Sequence, residues 1–321
     1  MSQSAQKPRI VILGLNGHIG QAAAKAFIAA GWSVTGFARS NRMPIAGVDF
    51  VAGTADSVPD MRAAIGDADI VLNALNLPYD KWDRGRAEAQ LGRVLKALGR
   101  TGKTLLFPGN VYNYAASDRA LTPDLPQYPE TPRGAIRVRM EEMLLAAARR
   151  GDINAIILRA GDFYGPGNHG NDMFGQMILR EIGKGRVALH HDLDLPHAWA
   201  YLPDLARAFV ALAERRGDFE AFARFNFAGH FLTGRQILKV VEDVAGHPLR
   251  AVPLPWTMLS AMGLVMPLMR EIVKTRYLWE NPMALVDPRL EAILGPGFGT
   301  DPAESIRATV APILLKSRVA A

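Results

Sequence analysis

The sequence predicts an α/β protein: a doubly wound parallel sheet with helices on both faces, followed by a smaller, mostly helical lobe. Three observations carry this expectation. Short β-branched runs alternate with stretches of helical periodicity through the first half of the chain. Several of these runs are apolar throughout, as strands buried on both faces are. A glycine-rich turn joins the first run to the first helix, the connection expected where a parallel sheet begins to wind.

Taken in order, RIVIL (9–13) is the first strand, and a helix follows from about His18 to Ala30. WSVTGFA (32–38) and VDFVA (48–52) are the next two strands. ADIVLNAL (68–75) reads as a fully buried strand and is followed by a helix over about 83–98. TLLF (104–107) precedes a helix that starts at Thr131 and Pro132, a capping residue and a proline with no N–H to lose. NAIILRA (154–160) closes the alternation. After Gly161 the pattern loosens into a helix over about 173–182, a strand around 187–189 and a helix from near Pro203. FNFA (225–228) then reads as a strand, and Thr233 caps a helix to about Val244. The expected division is a nucleotide-binding domain over 1–165 and a C-terminal substrate lobe over 166–321, intertwined and without a clean linker.

Composition narrows the function classes. The chain of 321 residues is 49% hydrophobic and 21% charged, as ordinary globular proteins are. It has no cysteine, which excludes disulfides, thiolate catalysis and Cys-ligated zinc. The seven histidines show no metal-ligand spacing, and adjacent His190 and His191 are expected to face apart, so no metal site is expected. The net charge of +6 is carried mostly by scattered arginines, with no aromatic-interleaved basic patch, so nucleic acid is not an expected partner. MSQSAQKPRIVIL has no apolar signal core with a small-residue cleavage site, and a cytoplasmic protein is expected. The longest uncharged run, AVPLPWTMLSAMGLVMPLM (251–269), is interrupted by three prolines. It is expected to form a buried or cleft-lining helix over about 256–266, with membrane contact the lesser reading.

Gly14-Leu-Asn-Gly17-His-Ile-Gly20 follows the first strand and opens the first helix. Glycines at these positions permit a tight turn, close approach of backbone to a pyrophosphate and close helix–strand packing. The helix N-terminus adds N–H donors for the phosphate. This Rossmann-type arrangement makes Gly14, Asn16, Gly17, His18, Ile19 and Gly20 the expected cofactor loop. Ala74, Leu75 and Asn110 join them from later strand ends. The second strand ends Phe37-Ala38-Arg39-Ser40-Asn41-Arg42, with no carboxylate to hold a ribose 2′-OH and two guanidiniums suited to a 2′-phosphate. NADP(H) is therefore expected over NAD(H), read by Arg39 and Arg42.

With these residues in view, the chain resembles the extended branch of the short-chain dehydrogenase/reductase superfamily, which includes NAD-dependent epimerases and dehydratases. GLNGHIG is similar to that branch's loop, RAGDFYGPG (159–167) to its RPGNVYGPG segment and HAWAYLPDLARA (197–208) to its hdWxyVdDvAxA segment. FNFAGHFLTGRQIL (225–238) is similar to a later segment with a capping threonine, and FPGNVY (107–112) stands where the family has SSxxVY. The resemblance implies a nucleotide-binding sheet, a substrate lobe and a Ser/Thr–Tyr–Lys catalytic set. The Tyr-x-x-x-Lys pair is absent: no tyrosine is followed four residues later by lysine, and Pro-Gly-Asn occupies the serine position at 108–110. The chain thus resembles an atypical member that kept the cofactor site. Two readings stay open, an NADP-dependent oxidoreductase or epimerase/dehydratase-type enzyme using other groups, and a non-catalytic NADP-binding sensor or regulator.

For an enzyme, ligands bind beyond the carboxyl ends of the strands. Tyr79 in NLPYDKW, Asp162 after the sixth strand and Asn110 after the fifth are the catalytic candidates there. Asn110 can hold a substrate carbonyl or form a turn, and Tyr112 and Tyr164 read as structural. Where the missing pair belongs, Arg133, Arg137 and Arg139 crowd the first turns of a helix, the end that disfavours cations. Arg133 or Arg137 can supply the lost lysine's charge and bind an anion. Otherwise the arginines line a solvated face, with Arg137 paired to Glu141 and Arg139 to Glu142. The expected partners are a small-molecule substrate, anionic on the first reading, and a second copy of the chain in a homodimer.

Overall fold

The computed structural model describes residues 7–167 and 172–319, apart from the side chains of 316–319. The chain forms two compact units, neither continuous in sequence. The first holds the stretches through Asn113, Pro132–Arg159 and Ala206–Phe225; the second holds Tyr114–Thr131, Ala160–Leu205 and the chain from Asn226 on.

The first unit is built on a seven-stranded sheet. Its strands are β1 (Arg9–Leu13), β2 (Ser33–Ala38), β3 (Val48–Ala52), β4 (Ile70–Asn73), β5 (Thr104–Gly109), β6 (Asn154–Arg159) and β7 (Phe222–Asn226). Their order in the sheet is β7-β6-β5-β4-β1-β2-β3, and β6 through β3 run parallel. The order reverses beside β1, the kind of switch point at which open α/β sheets bind ligands.

Helices α1 (His18–Ala29), α2 (Val58–Ile65), α3 (Arg86–Leu98), α4 (Pro132–Arg149) and α5 (Leu202–Glu214) link the strands. Alternation along β1 sends Val11 and Leu13 into a core with Met61 of α2, Leu91 and Val94 of α3, and Met140 and Leu144 of α4. Ile10 and Ile12, equally buried, point to the opposite face. The expected strands and helices of this half are all present, with ends moved by a few residues. Helix α3 starts at Arg86, because Arg84 (φ 55°) and Gly85 (φ 71°) place left-handed turns before it.

The second unit carries a three-stranded sheet in the order His230–Thr233, Pro196–Tyr201, Asp162–Tyr164. Two strand pairs, Arg250–Pro253 with Arg186–Leu189 and Ala284–Leu285 with Ala120–Leu121, accompany it. Helix α6 (Gly234–Ala245) opens with a capping box between Thr233 and Gln236.

Four expectations for this half need correction. The helix over 173–182 is a short π-helical segment at Phe174–Ile178 and a separate 3-10 turn at Ile182–Lys184; Gly175, Gly183 and Gly185 weaken a continuous helix. The FNFA strand is displaced to Phe222–Asn226, and the Asn226 N–H at its end donates to Asp287 Oδ2 at 3.0 Å. His190 and His191 do not face apart: they follow a strand that ends at Leu189, so no strand alternation applies, and their ring centroids lie 4.0 Å apart. The uncharged run is not one buried helix. Helix α7 (Trp256–Gly263) buries Trp256 and Leu259, and Pro267 begins α8 (Pro267–Val273). The turn between them leaves Leu264 79% and Val265 81% exposed. No helix among the described residues is long and apolar enough to cross a membrane.

Candidate active site

The glycine loop is shaped by three different constraints. Gly14 has φ +92°, and a Cβ there would stand 2.8 Å from the Ala74 carbonyl. This close approach brings the ends of β1 and β4 together and places Ala74 and Leu75 against the loop. At Gly20 a Cβ would stand 2.4 Å from the Gly14 carbonyl oxygen, so its absence lets α1 pack onto the turn. Gly17 differs: it is exposed, in extended geometry (φ −79°), and a Cβ would meet nothing closer than 3.4 Å. Packing does not require glycine there. An open backbone at the first turn of a helix with no side-chain cap and no acidic residue suits a phosphate. His18 and Ile19, both half-buried, form that first turn.

Arg39 and Arg42 lie exposed beyond the end of β2. Asn16 ties them to the glycine loop: its Nδ2 donates to Ser40 O at 2.7 Å and its Oδ1 accepts from Arg42 N at 3.3 Å. Asn16 thus holds the charge-bearing loop in place. Gly14, Gly17 and Gly20 thus shape the turn between β1 and α1, with the Arg39–Arg42 loop held beside it.

A second cluster forms at the carboxyl ends of β4 and β5 and the start of α4. Tyr79 begins a 3-10 turn, Tyr79–Lys81, and its ring stacks on Trp82 with centroids 5.7 Å apart. Its hydroxyl is hydrogen-bonded to the hydroxyl of Tyr112. Asn110 Oδ1 accepts from Tyr112 N at 3.1 Å, so Asn110 shapes the turn that presents Tyr112. The Asn110 amide N–H group has no protein acceptor among the described residues and is available to a carbonyl.

Arg139 of α4 does not pair with Glu142. Arg139 reaches across to Glu88 of α3, with Nε 2.8 Å from Oε1. Arg133 is only 4% exposed, and its guanidinium lies 4.7 Å from the Tyr79 ring centroid and 5.6 Å from that of Trp82. This burial overturns the solvated-face reading for Arg133. Arg137 lies over Trp82 at 5.4 Å and Phe107 at 5.1 Å, and donates to Pro108 O at 2.8 Å. Burial lowers the Arg137 pKa from its usual value, while Glu141, Tyr112 and Tyr79 favour its charged form. Glu141 itself is committed elsewhere: it pairs in two-pronged fashion with Arg159 and accepts from Asn113 Nδ2 at 3.0 Å.

Asp162 belongs to the second unit. Its Oδ2 lies 2.9 Å from His197 Nε2, and His197 Nδ1 lies 3.2 Å from the Leu278 carbonyl. A carbonyl only accepts, so the Leu278 contact makes Nδ1 the donor there and turns Nε2 toward Asp162. Tyr164 is structural, as expected: its hydroxyl bonds Ser305 Oγ at 2.6 Å and His230 Nδ1 at 2.5 Å, and burial pushes its pKa up. Among the described residues no group of three or more His, Asp or Glu is placed to hold a metal.

Sequence reasoning missed Trp82, Phe107 and His197, and left Tyr112 outside the site. The tryptophan in NLPYDKW was the available signal for the aromatic wall. Asp162 and His197 are 35 residues apart, and only parallel pairing of their strands joins them.

Fold and loop together define a dinucleotide-binding α/β protein. The profile of the NAD-dependent epimerase/dehydratase family matches residues 10–228, and the chain belongs to that family. Three solved structures share the fold. MoeE5, in complex with UDP-glucuronic acid and NAD, superposes with TM-score 0.75 at 16% identity, covering 96% of this chain and 99% of its own. UDP-glucose 4-epimerase from Brucella ovis, in complex with NAD, gives 0.73 at 18%, covering 95% and 98%. UDP-glucuronic acid 4-epimerase from Bacillus cereus, with UDP-glucuronic acid and NAD, gives 0.73 at 15%, covering 95% and 99%. No curated protein matches the sequence.

Proposed function

We propose that this protein is an NADP(H)-dependent oxidoreductase or epimerase/dehydratase-type enzyme that acts on a small anionic alcohol or carbonyl compound. It works without the family's Ser/Thr–Tyr–Lys set. The observation that carries the reading is the glycine loop with Arg39 and Arg42 tied to it by Asn16. A bound nicotinamide supplies hydride acceptance and donation. The sugar nucleotides in the MoeE5 and Bacillus cereus complexes are anions, which supports the same substrate class here. In this reading Arg133 or Arg137 holds a negative group, Asn110 binds the reacting carbonyl through its free amide, and Tyr79 exchanges the proton. Asp162, backed by His197, is the second choice for that exchange.

Arg39→Ala is expected to weaken NADPH much more than NADH, by about 1.5–3 kcal/mol, the usual loss for a hydrogen bond to a charged group. Titrating both cofactors against both proteins checks this. Equal weakening, or a native preference for NADH, overturns the NADP assignment. Where turnover with NADPH is measured, Tyr79→Phe is expected to cost about 10²-fold or more in rate, as loss of a general acid–base does. Retained rates in both Tyr79→Phe and Asp162→Asn would reject both choices. Helix α4 carries neither tyrosine nor lysine, which favours a second reading, a non-catalytic NADP(H) sensor. Tight NADPH binding without turnover on any alcohol or carbonyl offered would select it.

A further inference from the structure

We propose that Tyr79 and Tyr112 act as one two-phenol proton store, with Arg133 and Arg137 as its counter-charge. Tyr79 is the phenol that exchanges a proton with the reacting oxygen. The inference rests on the redox-enzyme reading above and assigns its acid–base machinery.

The hydroxyl pair is the starting point. Tyr79 and Tyr112 come from different strand ends, and their hydroxyls are hydrogen-bonded to each other. Loss of one proton from such a pair leaves a single charge that both oxygens share, stabilised by the remaining O–H. The neighbouring charges favour that anion. Arg133, buried, faces the Tyr79 ring at 4.7 Å. Arg137, one turn on along α4, lies over Trp82 at 5.4 Å, the ring on which Tyr79 stacks. The nearest acid on the helix, Glu141, is held by Arg159, and Asp80 on Tyr79's own turn is paired with Lys81 at 3.3 Å. Arg133 and Arg137 thus bring two guanidiniums to the aromatic cluster that holds the phenols.

Access divides the roles. Tyr112 is buried and its backbone N–H is fixed by Asn110, which makes it a positioning residue. Tyr79 is only partly buried and can reach a ligand. In alcohol oxidation the O–H proton would pass to the ionised pair, and a bound oxidised nicotinamide would supply the hydride acceptor for the C–H hydrogen. Reduction runs the same transfers backwards. No other oxidant or base is needed.

The test is a spectrophotometric pH titration of phenolate absorbance in the full chain. It contains seven tyrosines, and burial raises the pKa of Tyr164 and Tyr277. One tyrosine equivalent is expected to ionise at least about one pH unit below the ordinary tyrosine value of about 10. Tyr79→Phe and Tyr112→Phe should each remove that phase, and Arg133→Gln should move it upward. Native protein with no early phase, or an early phase that survives either phenylalanine variant, overturns the proposal. NADPH binding by the native protein is measured alongside. Its failure would remove the enzyme reading, whereas the titration alone decides the phenol pair.

Discussion

Glu141→Leu is expected to destabilise the protein by about 3–5 kcal/mol, the usual cost of stripping one partner from a buried ion pair. Arg159 is fully buried at the end of β6, and Glu141 receives its guanidinium through both carboxylate oxygens. Removing the acid leaves a buried cation and frees Asn113 Nδ2, which also donates to Glu141. It also takes away the charge that most favours the ionised form of Arg137. Since domains are stable by only about 5–15 kcal/mol, the loss is a large fraction of the total. Urea unfolding should show the midpoint falling accordingly. Glu142→Leu, on the exposed neighbour, should change stability by no more than about 0.5 kcal/mol. Replacing both partners, as Glu141→Leu with Arg159→Met, should recover much of the loss, because an apolar pair leaves no orphaned charge. A loss below about 1 kcal/mol in Glu141→Leu would show that Arg159 finds another partner or water.

The contrast between Glu141 and Glu142 shows where sequence reasoning reaches its limit. Helical spacing offered both acids to the arginines before them, yet Arg159 and Glu88, distant in sequence, supply the actual partners. The strands of the sheet were legible because apolar runs such as the Ile70–Leu72 stretch of IVLN are most stable between two helical layers. The glycine loop was legible for a similar reason: Gly14 and Gly20 answer steric demands that are local to the turn between strand and helix. Long-range polar choices obey no such local rule. Asp162 meets His197 only through strand pairing, and Tyr112 meets Tyr79 only because β4 and β5 end side by side. The exposed turn at Leu264 and Val265 was misread because apolar composition favours burial without enforcing it.

The glycines of the cofactor loop give the sharpest test of how the site is built, because two of them should fail in different ways. Gly20→Val is expected to lower both stability and dinucleotide affinity. Its Cβ would fall 2.4 Å from the Gly14 carbonyl oxygen and 3.0 Å from the Leu15 Cα, backbone atoms that cannot step aside singly. Helix α1 must then move off the end of β1, and the N–H groups of its first turn lose their aim. One or two charge-assisted hydrogen bonds to phosphate, each worth about 1.5–3 kcal/mol, amount to about 10-fold to 10⁴-fold in affinity. Gly17→Val should separate the two effects. Gly17 is exposed, its φ of −79° is open to any residue, and an added Cβ touches nothing closer than 3.4 Å. The melting temperature should therefore hold, while the side chain enters the space over the helix N-terminus that a pyrophosphate needs. Calorimetric titration with NADPH and NADH, beside thermal unfolding of each variant, reads both quantities. Undiminished affinity in Gly17→Val would place the phosphates elsewhere and remove the physical basis for the dinucleotide site. Equal loss of stability in both variants would mean that Gly17 serves packing after all.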